Sequence, residues 1–418
     1  MRRLLLVAFH FPPLIGSSGI QRTLRFAQYL PDFGWNPTVL TVGNSAHESI
    51  DPSSLDLIPE GCDVVRVPCL DARRHLSIAG RYPRFVADPD RWVSWTMLGR
   101  SIGAQVCRQR GIDAVWSTYP IASAHRLASA ISRRTRLPWI ADFRDPMAQP
   151  GYPADPVIWN SFRRIEEDAA QNASAMVFVT ESAMNTFRHQ FASTNPSRFH
   201  LIENGFDEAT FPNTPPRARQ SIHARPLILL HSGIVYPSER DPTALFDAVS
   251  SLDRRGLIRP ADVRIRFRAA VHEDLLRNLS SSRAISDYIE VVPSVPYPKA
   301  IEEMLSVDGL VLLQGDNCNE QIPAKLYEYL RAGRPILGLA DPAGDTGRRL
   351  IQLGFPDVAK LESSAEIETT LLRFLSLIRS DQAFTLAPES VKRFSRREGA
   401  RQLAELLEHY TARSRGVG

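Results

Sequence analysis

Two glutamates and a lysine within nine residues form the most informative polar group in this sequence. Glu320 and Glu328 are separated by seven residues, and Lys325 lies three residues before Glu328. On a continuous helix the two carboxylates would stand about 12 Å apart, farther than the roughly 5 to 9.5 Å between the paired carboxyl groups of a glycosidase. The spacing therefore favours a long ligand held at both ends. On spacing alone, a solvent-exposed Lys325–Glu328 pair on a helix is an equally good interpretation.

The elements around this group predict a βαβ unit. Residues 309–313 are a continuous apolar run typical of a buried parallel strand, and Pro323 suits the first turn of a helix. Gly333 can end that helix in the left-handed conformation, and residues 335–339 return the chain to the sheet. The amides after Pro323 would face an anion, while one carboxylate accepts sugar hydroxyls and the other ribose hydroxyls. The unit is therefore predicted to bind a nucleotide sugar.

A glycine-bearing loop follows the first predicted strand. Residues 3–9 are apolar, the loop 10–19 contains Gly16 and Gly19, and residues 20–33 have the 3.6-residue period of an amphipathic helix. Such a loop lets backbone amides approach a phosphate or a sugar closely. Because the two glycines match neither GxGxxG nor a P-loop, a plain structural turn is the alternative.

Charged residues gather where another predicted strand ends. The apolar residues 137–141 lead directly into Asp142, Arg144 and Asp145. In open α/β sheets, ligands bind outside the carboxyl ends of the strands, so this cluster is a candidate site. The alternative is a structural corner in which Arg144 is salt-bridged to its neighbours.

Composition and charge narrow the class of protein. The chain has 418 residues, 43% of them hydrophobic and 23% charged, which is enough for two domains, each with its own core. Fifty basic against 46 acidic residues give a net charge of +4, so no nucleic-acid partner is predicted. The four cysteines lack metal-ligand spacing, and no apolar run approaches the roughly 20 residues that span a bilayer. We therefore expect reduced thiols, no metal site and a cytoplasmic location.

Strands and helices alternate through both halves of the chain, which predicts two parallel sheets. Residues 211–219 are rich in proline and arginine and have the composition of a linker. We predict an N-terminal Rossmann-like domain at 1–212, a C-terminal one at 226–390, and a closing segment at 391–418 whose helix crosses back toward the N-terminal domain. The predicted fold class is α/β, with two doubly wound domains facing across a cleft.

A helix predicted from about residue 90 follows a basic insertion and carries Trp92 and Trp95 on one side. Tryptophans near arginines are compatible with contact to a membrane surface, which would place the protein on the inner face of the plasma membrane. Packing of both tryptophans on the protein's own sheet is the alternative.

The sequence resembles the family 4 glycosyltransferases of the two-domain GT-B fold over nearly the whole chain. The resemblance is carried by the glycine loop of the first βαβ unit, the turn at 204–207, the loop at 233–240, the Glu320 and Glu328 pair with Lys325, and the closing helix. The segments 142–146 and 233–242 further resemble a bacterial branch associated with surface polysaccharide assembly.

The resemblance implies an activity. Members retain the anomeric configuration and use no bound metal or other cofactor as they move a sugar from a nucleoside diphosphate sugar. The acceptor implied here is a glycan or a lipid-linked sugar. By resemblance, Glu328 binds the ribose hydroxyls, Glu320 binds the transferred sugar, and Arg240 and Lys325 neutralise the departing diphosphate. The implied donor site also includes Pro323, Gly233, Gly16 and Gly19.

Two positions depart from the pattern of the family. Ile234 follows Gly233 where many members carry arginine or lysine, and Arg144 stands where many carry a histidine near the sugar. Arg144 is therefore grouped with the catalytic candidates. The acceptor-side candidates are Asp142, Asp145 and His125.

Two other functions remain open from the sequence. A nucleotide-sugar epimerase has the same fold and needs paired acid and base groups on opposite sugar faces, which Asp142, Asp145, His125 and Glu320 could supply. A non-catalytic subunit that binds nucleotide sugars would explain the departures at Ile234 and Arg144.

Overall fold

The computed structural model describes residues 1–15, 19–212 and 225–415. It divides into two compact units. The N-terminal unit comprises Met1–Asn204 and Arg396–Gly418, and the C-terminal unit comprises Gly205–Ser395. Gly16 and most of the predicted linker, from residue 213 onward, lie outside the described residues.

Each unit contains one parallel sheet. The described strands of the N-terminal unit have the order β3-β2-β1-β4-β5-β6-β7, and those of the C-terminal unit have the order β10-β9-β8-β11-β12-β13. The strands are β1 Arg2–Val7, β2 Trp35–Val42, β3 Asp63–Val67, β4 Ala114–Thr118, β5 Trp139–Arg144, β6 Ala175–Phe178, β7 Phe199–Leu201, β8 Leu227–Ser232, β9 Val263–Arg268, β10 Ile289–Val292, β11 Gly309–Leu313, β12 Ile336–Leu339 and β13 Val358–Ala359.

Helices connect the strands within both units. The described α-helices are α1 Gly19–Tyr29, α2 Ala72–His75, α3 Ser94–Arg110, α4 Ala122–Thr135, α5 Pro156–Asn172, α6 Glu181–Gln190, α7 Thr243–Arg254, α8 Glu273–Ser282, α9 Tyr297–Ser306, α10 Lys325–Ala332, α11 Asp345–Gln352, α12 Ser364–Arg379, α13 Pro388–Val391 and α14 Arg396–Arg415. No helix of the described residues is both long enough and apolar enough to cross a membrane.

The central strands β1 and β11 form where the sequence is continuously apolar, because both faces of a parallel sheet are covered there. In β1 the run Leu4–Val7 is fully buried, and β11 is buried at every position. Together with the strand orders, this confirms the predicted α/β class with two Rossmann-like doubly wound sheets.

The closing helix α14 belongs to the N-terminal unit and packs beside α1. Leu403 and Leu407 are fully buried in the same apolar cluster as Leu24 and Trp35. The side of α14 that carries these leucines is therefore the side that packs against the unit.

Several helix ends have the expected chemistry. Gly333 follows α10 in the left-handed conformation, with φ of 63°, and its N–H donates to the carbonyl of Leu330. Gly34 takes the same conformation before β2, after a short 3₁₀ turn that ends the predicted helix 20–33. Both glycines therefore end helices by the predicted mechanism.

The helix that carries the tryptophans begins later than predicted, at Ser94. Trp95 is fully buried, and the ring of Trp92 lies 4.6 Å from that of Phe9, centroid to centroid. The tryptophans therefore pack on the N-terminal unit itself, and they do not form the membrane-facing surface that the sequence left open.

Candidate functional site

The first candidate site lies in the C-terminal unit, where the chain changes direction across the sheet. From β8 the chain continues through α7 to β9 on one side, while β11 pairs with β8 on the other. The carboxyl ends of β8 and β11 therefore lie side by side, with the loop 233–241 after one and the start of α10 beyond the other. A switch point of this kind is where open α/β sheets bind ligands.

Lys325 and His231 meet at this switch point. Lys325 is the first residue of α10, and its Nζ lies 3.2 Å from Nε2 of His231, near the end of β8. Nδ1 of the same imidazole lies 3.0 Å from the carbonyl oxygen of Val311. Because a carbonyl only accepts, Nδ1 carries the proton and Nε2 accepts a hydrogen bond from Lys325. The backbone of β11 thus fixes the tautomer that positions the lysine.

Burial changes the protonation of both side chains. Burial, and secondarily the charge of Arg240, lowers the pKa of Lys325 to about 7, with Glu328 acting in the opposite direction. Burial, followed by the charge of Lys325, lowers the pKa of His231 well below its ordinary value. His231 is therefore neutral near pH 7, whereas Lys325 is poised to gain a full charge when an anion arrives.

Gly233 gives Lys325 the space it occupies. The glycine has a backbone φ of 116°, which residues with a side chain rarely adopt. A Cβ placed there would lie 3.0 Å from Nζ of Lys325. Its N–H donates to the carbonyl of Arg268 across the sheet. The glycine thus makes room for the lysine in this structure, and its place in the donor site stays a prediction.

Arg240 lies on the loop after β8 and is held by contacts of that loop. Its guanidinium lies 5.1 Å from the ring centroid of Tyr236, and one terminal nitrogen donates to the carbonyl of Ile234 at 3.2 Å. Its Nε is buried and has no acceptor among the described residues. Ile234, which departs from the family pattern, therefore supplies a carbonyl that holds Arg240.

The two glutamates lie in different local structures. Glu328 is half-buried within α10, and its Oε1 accepts a 2.7 Å hydrogen bond from the hydroxyl of Tyr297. Glu320 is exposed in the turn before the helix. Because α10 begins only at Lys325, Pro323 lies two residues before it, so the assumption of a continuous helix between the carboxylates was wrong. The distance based on that assumption does not apply.

The second candidate site lies in the N-terminal unit, at the carboxyl end of β5. Asp142 is fully buried, and its Oδ2 accepts a 2.7 Å hydrogen bond from Nε of Arg22 in α1. The terminal nitrogens of Arg22 donate to the carbonyls of Ile202 and Glu203. Burial raises the pKa of Asp142, and the charge of Arg22 opposes that shift. Asp142 is thus engaged inside the unit, as the anchor of an arginine that joins three segments.

Arg144 and Asp145 follow a bulge in β5, where the register with β6 shifts. Arg144 has φ of 62°, and burial lowers its pKa while the charge of Asp145 opposes that shift. Burial likewise raises the pKa of Asp145, with Arg144 as the main opposing charge. The two side chains share one electrostatic environment but form no ion pair in the described structure, so the salt-bridged corner considered from sequence is not what forms here.

His125 and Gly19 occupy structural positions. The imidazole of His125 is fully buried, its Nδ1 lies 2.8 Å from Oγ of Ser117, and its ring packs on Phe143. Burial lowers the pKa of His125 to about 3. Gly19 is buried as the first residue of α1. The structure therefore brings Arg144 and Asp145 together but places His125 in the core beneath the sheet.

Sequence reasoning missed His231 and Tyr297. His231 stands two residues before Gly233, inside a run that was interpreted only as a strand, and its position at the strand's end was the available signal. Tyr297 lies 31 residues before Glu328, and no local pattern connects the two.

The comparisons with known proteins agree with this architecture. Residues 18–205 match the family model of the glycosyl transferase 4-like domain. The N-terminal unit carries a glycosyl transferase 4-like domain. Together with the two Rossmann-like sheets, this match supports a glycosyltransferase of the GT-B type and agrees with the resemblance to family 4. No curated protein sequence matches the glycosyltransferase.

Solved structures with the same fold align over almost the whole glycosyltransferase. Anabaena Alr3699/HepE in complex with UDP-glucose is 15% identical, with a TM-score of 0.65 over 98% of this chain and 100% of that one. Sucrose-phosphate synthase from Thermosynechococcus elongatus is 13% identical, with a TM-score of 0.66 over 99% and 100%. The lipopolysaccharide outer core galactosyltransferase WaaB is 11% identical, with a TM-score of 0.62 over 97% and 99%. At these identities the likeness establishes the fold.

Proposed function

We propose that this glycosyltransferase moves a sugar, with retention of configuration, from a nucleoside diphosphate sugar to a glycan or lipid-linked acceptor in surface polysaccharide synthesis. The observation that carries the proposal is the position of two basic side chains, Arg240 and a Lys325 that becomes fully charged beside an anion, at the switch point of the C-terminal sheet. The structural relative HepE has been solved with UDP-glucose, which supports a nucleotide-sugar donor.

The chemistry of sugar transfer suits this arrangement. Cleavage of the bond between sugar and phosphate leaves negative charge on the nucleoside diphosphate. A cation already in place stabilises that charge in the transition state more than in the ground state. Lys325 is held by His231, and Arg240 is held by the Ile234 carbonyl, so neither must reorganise far. We assign the departing diphosphate to these two side chains.

The other donor contacts follow from position. Glu328, one turn into α10, is assigned to the ribose hydroxyls, with Tyr297 orienting its carboxylate. Glu320 is exposed before the helix and is assigned to the transferred sugar. Pro323 precedes the helix start and shapes the turn that joins these glutamates. A phosphate oxygen of the leaving group can take the acceptor's proton, so no dedicated base is required.

We further propose that transfer needs no metal ion. Lys325 and Arg240 supply positive charge where a divalent cation would otherwise be required. EDTA should therefore leave donor binding and transfer unchanged, whereas a requirement for magnesium would contradict this part of the proposal.

The first experiment is a thermal-shift titration of the purified protein with UDP, GDP, CDP and TDP, each with magnesium or with EDTA. A ligand that binds only the folded state stabilises it by roughly 2.7 kcal/mol at a hundred times its dissociation constant. We expect one nucleotide to raise the midpoint in the wild type, and the shift to disappear in Lys325→Met and in Glu328→Ala. The control Lys299→Met replaces an exposed lysine paired with Glu302 and should keep the shift.

The same titration tests the alternatives. No shift with any nucleotide in the folded wild type would contradict the proposed donor site. Nucleotide-sugar binding with neither transfer nor donor hydrolysis would favour the non-catalytic subunit. Release of an altered sugar without an acceptor would favour an epimerase.

We also propose contact with an anionic membrane surface, through residues other than the tryptophans. Ile78, Phe85, Met97 and Leu98 are all exposed, Ile78 at 84% and Phe85 at 77%. They belong to a segment with the exposed arginines 73, 74, 81, 84 and 100. Apolar side chains among arginines are typical of a membrane interface.

Liposome flotation tests this surface. Replacement of both Ile78 and Phe85 by serine should abolish flotation with anionic vesicles and leave the thermal midpoint unchanged, because neither side chain is buried. The matched control is replacement of the exposed Leu257 in the C-terminal unit by serine. Equal flotation of the double variant and the wild type would contradict the proposal.

A further inference from the structure

Arg144 has an unusual environment for an arginine. Its backbone is in the left-handed region, with φ of 62°, and its side chain is half-buried at the end of β5. Nε is buried, and no group of the described residues accepts a hydrogen bond from the guanidinium. A buried Nε without an acceptor is unfavourable, because buried polar groups are normally paired.

The neighbouring groups do not satisfy this guanidinium. The fully buried carboxylate of Asp142, two residues earlier, is bound to Arg22, whose terminal nitrogens donate to backbone carbonyls. Asp145 affects the pKa of Arg144 but makes no ion pair with it. His10 is neutral near pH 7, because burial, Arg144 and His47 lower its pKa to about 4. The guanidinium thus interacts electrostatically with a neutral imidazole and with a carboxylate that forms no ion pair with it.

The geometry at this position is maintained by the backbone. The carbonyl of Arg144 accepts a hydrogen bond from the N–H of Val179, and the N–H of Asp145 donates to the carbonyl of Phe143. These bonds hold the backbone beside the register shift between Asp142 and Arg144. Unfavourable backbone conformations of this kind persist where the surrounding structure enforces them, often at ligand sites.

We propose that Arg144 and Asp145 form a subsite for an acidic sugar, in which Arg144 binds a carboxylate or phosphate group and Asp145 accepts a sugar hydroxyl. The planar guanidinium matches a carboxylate or a phosphate with two parallel hydrogen bonds. The neighbouring carboxylate of Asp145 can accept hydrogen bonds from the hydroxyls of the same sugar. The identity of this sugar as a substrate rests on the proposed function, whereas the subsite itself does not.

The experiment measures binding of three probes to the full chain by thermal shift and by calorimetry: glucuronate, glucose 6-phosphate and glucose. We expect one of the two acidic probes to bind and glucose to bind weakly or not at all. Binding of glucuronate would identify a carboxylate site, and binding of glucose 6-phosphate would identify a phosphate site. In Arg144→Gln the affinity for that probe should fall by about tenfold or more, the effect of losing a charge-assisted pair. Arg144→Lys, which keeps the charge but loses the fork, should be intermediate.

Two matched variants separate this site from general charge effects. Arg136 also has a positive φ, of 58°, but is exposed at the end of α4, so Arg136→Gln should bind the probe as the wild type does. Arg240→Gln removes a cation of the C-terminal unit and should likewise leave probe binding unchanged. Loss of binding in Arg240→Gln together with full binding in Arg144→Gln would overturn the proposal, as would the absence of binding by both acidic probes.

The stability of the ligand-free protein gives a second readout. An arginine that served the fold would lower the thermal midpoint when replaced, whereas an arginine kept for a ligand should not. We expect the midpoint of ligand-free Arg144→Gln to be no lower than that of the wild type. A clear fall in the midpoint with undiminished probe binding would show a structural role instead. The UDP titration of the wild type is separate, so failure of the nucleotide site and failure of this subsite are distinguishable.

Discussion

At the scale of single residues, Lys325 is the side chain whose chemistry depends most on its surroundings. In the sequence it is one member of a charged triplet, and in the fold it is a half-buried amine on a neutral imidazole. The same burial that lowers its pKa makes its charge responsive to a bound anion. His231 positions the amine, because its Nδ1–H donates to the carbonyl of Val311 and its Nε2 accepts a hydrogen bond from Lys325.

We expect nucleotide affinity to fall as the pH rises above about 7. The pKa of Lys325 is lowered to about 7 in the free protein, and a bound diphosphate would raise it again. Binding above pH 7 must therefore take up a proton, and the dissociation constant of the nucleotide should increase by at most about tenfold per pH unit. Calorimetry in buffers with different enthalpies of ionisation measures the number of protons taken up.

The control is Lys325→Arg, whose guanidinium stays charged across this range. Its nucleotide affinity should be nearly independent of pH, and a slope equal to that of the wild type would contradict the assignment to Lys325.

The lowered pKa of Lys325 also makes the free energy of unfolding depend on pH. Between the ordinary value of 10.5 and about 7, the unfolded chain binds a proton that the folded protein does not. The free energy of unfolding should therefore decrease as the pH falls through that window, and less so in Lys325→Met.

At the scale of secondary structure, the last helix shows how an element far along the sequence completes a distant core. Leu403 and Leu407 of α14 lie in the cluster formed by α1, β1 and β2, although nearly 400 residues separate them from β1. The amphipathic period was readable in the sequence. The core that it completes follows from packing of the folded unit.

We expect Leu407→Ala to destabilise the N-terminal unit by about 2 to 5 kcal/mol, the usual effect of removing a fully buried leucine side chain. Urea unfolding followed by tryptophan fluorescence measures the change, since Trp35 belongs to the same cluster. The matched control is Glu408→Ala on the exposed side of α14, which should change the free energy of unfolding by less than about 0.5 kcal/mol. Similar effects of the two substitutions would show that α14 contributes little to this core.

The bulge in β5 is an element-scale feature that the sequence did not reveal. The residues 142–145 were identified as a strand end with charged side chains, but their division into two roles depends on one register shift. Asp142 lies before the shift and is buried with Arg22, whereas Arg144 lies after the shift and its buried Nε has no acceptor among the described residues. Neighbours in sequence thus belong to different environments.

At the scale of the whole molecule, two parallel sheets of the same topology each carry polar residues at the carboxyl end of their strands. In the C-terminal sheet these residues are Lys325, Arg240 and His231, and in the N-terminal sheet they are Arg144 and Asp145. The family match to the N-terminal unit and the fold of both units agree on a glycosyltransferase. The specific donor and acceptor depend on side chains that vary on this shared scaffold.

The sequence by itself determined the α/β class, the alternation of strands and helices, the glycine at the end of α10 and the resemblance to a glycosyltransferase family. These features follow from local rules, because apolar runs, periodicity and cap residues act over a few neighbouring positions. Only the tertiary structure decided that His231 holds Lys325, that Tyr297 binds Glu328, that His125 is a core residue and that the tryptophans face inward. Those outcomes depend on contacts between distant segments, and burial at those contacts sets which charges are paired and which pKa values change.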